Sequence, residues 1–130
     1  MSSRLIAVVI GIFYVITGVW AFLDPASFAG SVATFPPFNR HLLHDAGAFS
    51  TGLGLVLLLS AWISDRLLPA LLAVLAASLL HVMAHAEDIG LGGRPSTDIP
   101  VLSLICVALL AGVALEMRRR LSAGAREAGQ

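Results

Sequence analysis

Four long apolar stretches with almost no charge, at 5–23, 46–63, 67–84 and 99–115, constrain this chain more than any other feature. Each is close to the roughly 17–25 residues needed to cross a hydrocarbon layer about 30 Å thick. No water reaches backbone N–H and C=O groups inside such a layer, so every segment must satisfy its own hydrogen bonds. The runs are continuous rather than alternating, which excludes barrel strands and leaves helices. Composition agrees: 58% of the 130 residues are hydrophobic and 12% are charged, against about a quarter charged in soluble domains. The expected fold is all-α, a four-helix transmembrane bundle in contact with the lipid bilayer. It forms a single domain over 1–130, with helices at about 4–23, 40–63, 66–86 and 98–118 and a cytoplasmic tail at 119–130.

The first stretch follows one basic residue, Arg4, but is longer than the roughly 7–15 apolar residues of a cleaved leader. A retained membrane helix is expected. Every basic residue is an arginine; Arg4, Arg66, Arg118, Arg119, Arg120 and Arg126 fall on one side of the predicted bundle, and only Arg40 and Arg94 on the other. The positive-inside rule then predicts both termini in the cytoplasm, N-in and C-in, of a bacterial plasma membrane. A formal net charge of zero gives no basic patch for nucleic acid. The lone cysteine, Cys106, excludes an intrachain disulfide or a cysteine-based metal cluster and reads as a small packing residue.

The connections carry their own signals. Asp24-Pro25 reads as an N-cap followed by proline in the first helical turn. Phe28, Val32 and Phe35 recur at helical spacing behind it, predicting a short interfacial helix over 25–34 that Pro36-Pro37 stops. Asn39 is placed to cap the second long helix and Ser64 the third. The stretch 89–97, with Gly90, Gly92, Gly93 and Pro95, is expected to be a flexible loop able to act as a lid. Gly11 and Gly18 on the first helix, and Gly47, Ser50, Thr51 and Gly54 on the second, mark seams where backbones can approach closely. With so little interior in four short helices, such seams predict a homo-oligomer or assembly into a larger membrane complex.

Chemistry has one place to reside. His41, His44, His81 and His85, with the acids Asp45, Glu87, Asp88 and Asp98, all fall at the same predicted end of the bundle. His81 and His85 are four residues apart and so share a helix face, a spacing that lets two imidazoles bind one metal ion. His44, Asp45, His81 and His85 are the candidate metal- or small-ligand-binding core, with His41, Glu87 and Asp88 at its rim. Histidines with one or two carboxylates suit a transition metal such as zinc, copper or iron. Two readings compete. Histidines from the second and third helices can clamp a haem b in an electron carrier, or the polar end is ordinary capping and solvation in a non-catalytic accessory subunit. The residues demand no particular reaction.

Gly18-x-Trp20, Asp24-Pro25-x-x-Phe28 leaving the first helix and Gly52-x-Gly54 in the second resemble the DoxX-like and related small four-helix membrane proteins. The resemblance implies the helix layout. The group has no single agreed activity, and some members resemble accessory parts of quinone-linked oxidoreductases, which keeps a redox-linked role open; the histidine pairs are outside its pattern.

Overall fold

The computed structural model describes residues 2–63 and 66–128. It contains five helices: α1 (Ser3–Leu23), α2 (Pro25–Ser31), α3 (Arg40–Trp62), α4 (Leu67–Glu87) and α5 (Pro95–Ala128). No strand occurs among the described residues. Four of the helices, α1, α3, α4 and α5, are long and apolar enough to cross a membrane. The 21 residues of α1 and of α4 correspond to about 32 Å at 1.5 Å per residue, which matches a hydrocarbon core of about 30 Å. Large apolar side chains including Ile16, Phe49, Leu59, Leu104 and Val107 are more than half exposed. In water they would form an extended sticky surface; against lipid tails they are solvated.

Local sequence sets the helix starts. Ser2 accepts from the Leu5 amide at 3.2 Å, Asp24 Oδ1 from the Ser27 amide at 3.2 Å and Asn39 Oδ1 from the Leu42 amide at 3.1 Å, each serving one of the orphan donors of a first helical turn. The caps expected at Asp24 and Asn39 are present; the one expected at Ser64 lies outside the described residues. Trp20 donates to Ser27 Oγ at 3.3 Å and meets the Phe28 ring edge-on, folding α2 back over the end of α1. α2 ends at Ser31 rather than at 34.

α5 departs from the predicted 98–118 at both ends. It begins at Pro95 because Asp98 Oδ2 accepts from the Arg94 backbone amide at 2.7 Å and proline is well tolerated in a first turn. It runs to Ala128, and strong helix formers with Glu116–Arg119 and Glu116–Arg120 pairs carry it past the apolar stretch. Pro100, inside the helix, leaves the Ser96 carbonyl without its usual donor.

α1 and α3 run antiparallel along a glycine seam. A Cβ at Gly18 would lie 2.7 Å from the Gly47 carbonyl oxygen, and one at Gly47 would lie 2.6 Å from the Gly18 carbonyl oxygen; Gly11 and Gly54 repeat this two turns away. The small residues expected to receive further helices are used inside the chain. Among apolar segments, where lipid is as greasy as leucine, such backbone proximity is a main source of helix association.

α4 packs on α5, and α1 also touches α5. The core they share comprises Ile6, Ile10 and Tyr14 of α1, Leu57 and Ala61 of α3, Leu67, Leu71 and Val74 of α4, and Ile105, Leu109 and Val113 of α5. These positions lie in the half of the bundle that holds the N-terminus, which we call the terminal end. Tyr14 and Ser78 close the core with a 2.8 Å hydrogen bond; the Ser78 hydroxyl donates onward to the Val74 carbonyl, so the Tyr14 hydroxyl is the donor of the pair. Beyond this point, toward the loop end, α3 and α4 carry no buried core residue except Gly47.

Candidate functional site

Where the core stops, a groove of about 480 Å³ opens between α3 and α4. Its roof is the end of α2 and the segment after it, through Ala29, Ala33, Phe35 and Phe38; one wall is Leu42, Leu43 and Ala46 of α3, and the other His81, Ala84, His85 and Asp88. The groove is mostly apolar, with its polar groups concentrated on the α4 wall. Its volume falls in the range of roughly 300–1,000 Å³ of small-molecule sites, but the groove is open along one side rather than enclosed.

The α4 wall follows from helix periodicity. Leu71, Val74 and Ser78 form the buried stripe of α4, and His81 and His85 continue that stripe at three- and seven-residue steps. They therefore face the groove at a level where α3 and α4 have no core to receive them, His85 half-buried and His81 exposed within it. Their ring centres are 4.9 Å apart with planes inclined at 50°. The edge of Phe35 meets His85 at 5.4 Å and 79°, so the roof holds this imidazole. Asp88 ends α4, its amide bonded to the Ala84 carbonyl at 2.9 Å, and shares the groove lining.

The α3 residues go elsewhere. His44 stands three residues before Gly47, on the face that the glycine seam turns toward α1, and its ring lies against Phe22 with centres 5.1 Å apart. His41 and Asp45 pair along the helix, 3.5 Å between Nε2 and Oδ2, with the histidine side chain 87% exposed. The predicted set is thus divided into His81, His85 and Asp88 at the groove, His44 at the α1–α3 seam, and His41 with Asp45 on the outer surface. Glu87 is exposed, and Asp98 serves the start of α5. Among the described residues no three His, Cys, Asp or Glu side chains gather to hold a metal.

The two long connections are tied together above the groove. Gly93 donates its amide to the Thr34 carbonyl at 3.1 Å, and Arg94 Nη2 donates to the Ser31 carbonyl. Gly92 and Gly93 have φ values of 142° and 75°, a region that L-residues with a Cβ rarely adopt. A Cβ at Gly93 would also lie 2.7 Å from the Phe35 ring. The loop expected to be flexible meets the roof at these two points.

A second polar cluster, not foreseen from the sequence, occupies the terminal end. Glu116 is 1% exposed. It accepts from Ser3 Oγ at 2.9 Å, from Arg119 Nε at 3.1 and 3.2 Å and Nη2 at 2.6 Å, and from Arg120 Nε at 3.4 Å. The available signal was its place three residues after Val113 on the buried stripe of α5, with arginines at the following three- and four-residue steps. This cluster fastens the start of α1 to α5.

Comparison of the chain with protein-family models, with curated proteins and with solved structures gives no match.

Proposed function

We propose that this chain is a small multi-pass protein of a bacterial plasma membrane that binds a small, largely apolar molecule in the groove at its outer, loop end. The observation that carries the reading is the groove itself, a mostly apolar slot of about 480 Å³ with His81, His85 and Asp88 on one wall and Asn39 at the start of the other. The arginine asymmetry supports placing both termini in the cytoplasm. The exposed Val32 and Phe38 around α2 support an interfacial position for that helix, with the ligand entering from the outer leaflet or the outer water. The DoxX-like resemblance supports a redox-linked ligand. A haem b reading has less support, because His44 lies against Phe22 and does not line the groove.

Assembly with a further membrane partner, or with a second copy, is the second reading. It is favoured by α3, which is the least apolar of the four spans and also the least buried. In that reading the chain is an accessory subunit and the groove is part of a larger site.

Mass spectrometry of the intact protein released from its own membrane in mild detergent tests the binding reading. Ala46 lines the groove and is exposed to it, so Ala46→Trp fills the slot without entering the core. The parent is expected to carry a small-molecule adduct that the variant lacks, with the two melting within a few degrees of each other. No adduct on either protein, or the same adduct on both, would overturn the reading.

A further inference from the structure

We infer that His81 and His85 are the paired protein ligands of one borderline divalent metal ion, of which zinc is the type, with its remaining coordination positions open to the groove. The inference rests on the reading of the groove as a binding site and names what organises it. Two imidazoles one helical turn apart on the same face are a recurrent way for a helix to present a metal. The spacing fits: with a metal–nitrogen bond of about 2.0–2.1 Å each ring centre lies roughly 3.2 Å from the metal, so centres 4.9 Å apart subtend an angle of about 100° at the ion, close to tetrahedral.

The His85 ring is also held. Phe35 meets His85 edge-on, and Phe35 is itself seated where Gly93 has no Cβ, beneath the Gly93–Thr34 hydrogen bond. Asp88, one turn beyond His85 on the same lining, places a carboxylate where it offsets the charge of the ion and accepts from a metal-bound water. The two imidazoles supply two protein ligands, one fewer than the usual three of an open zinc site, so the remaining positions fall to water and to the molecule in the groove. The ligand this favours is an apolar molecule with one oxygen or nitrogen donor, the donor on the metal and the remainder along Leu42, Leu43 and Ala46.

The test uses the full chain in detergent, stripped with a chelator and titrated with zinc alone, then with cobalt for its visible spectrum. One ion per chain is expected, with His81→Gln and His85→Gln each weakening binding at least tenfold and removing the imidazole signature of the cobalt spectrum. His41→Gln, on the outer surface, is expected to bind as the parent does. Melting curves of the two groove variants, with His85→Asn as an alternative replacement, identify any loss that is merely unfolding. Equal zinc binding by the parent and a folded His81→Gln, or dependence on His41 instead, would overturn the site. The native adduct separates the two readings: an adduct without metal binding overturns the metal site and leaves the groove, whereas zinc bound at His81 and His85 with no adduct on the parent supports the site and overturns the groove reading.

Discussion

Replacing Gly47 by leucine is expected to force α1 and α3 apart and to lower the melting temperature by about 10 °C or more. A Cβ at this position would stand 2.6 Å from the Gly18 carbonyl oxygen and 2.7 Å from the Phe22 amide nitrogen. Both are backbone atoms, so no side-chain rotation relieves the clash and one helix must move bodily. Overpacking a fitted interior costs about 1–3 kcal/mol, occasionally more, and a backbone collision belongs at the upper end. A domain of this size shifts by roughly 3–5 °C per kcal/mol. Gly52 supplies the control: it lies on the same helix with no atom within 4 Å of its would-be Cβ. Gly52→Ala is therefore expected to be neutral or to gain up to about 1 kcal/mol from helix propensity. Melting of the two variants in one detergent, followed by helical circular dichroism, checks this; equal midpoints would remove the seam from the account of the fold.

Loss of the Glu116 carboxylate is expected to loosen the terminal end. Hydrogen bonds to charged groups contribute about 1.5–3 kcal/mol each when buried, but here the Arg119 and Arg120 side chains are 52% and 39% exposed and stay hydrated when their partner is removed. The total is therefore discounted to about 2–3 kcal/mol for Glu116→Ala, and to about 1–2 kcal/mol for Glu116→Gln, which keeps the volume and a partner for Ser3. A double-mutant cycle with Arg119→Ala isolates the pair. Parental stability in Glu116→Gln, or a coupling indistinguishable from zero, would show that the cluster contributes nothing to holding α1 on α5.

The helices were legible in the sequence because the bilayer leaves few alternatives to a long apolar run, and the caps at Asp24 and Asn39 because a short polar side chain before such a run has one common use. The rotation of each helix was harder to read. Treating the histidines as one cluster used their level along the bundle and ignored the face. Gly47 and Gly54 fix the face of α3 turned to α1, and His44, one turn before Gly47, must follow it; this could have been read from the same glycines that marked the seam. The His81–His85 pair was legible from its spacing alone. The groove it faces was not, since it depends on α3 and α4 lacking core residues at the loop end and on Phe35 being seated over Gly93. Glu116 was hidden because it resembles a charge at a membrane boundary unless the buried stripe of α5 is extended through Val113.

Thiol labelling in intact cells tests the central claim, a groove open to the outside at one end of a four-span bundle, most directly. Cys106 is buried and is replaced by alanine, and single cysteines are placed at Ser96 beside the tied loops, at Ala84 in the groove and at Ser122 on the far end of α5. A membrane-impermeant maleimide added outside is expected to label the Ser96 and Ala84 positions and to reach Ser122 only after the membrane is opened, with Ala46→Trp slowing the reaction at Ala84 alone. Labelling at Ser122 in sealed cells, or a silent Ala84 beside a reactive Ser96, would contradict the account.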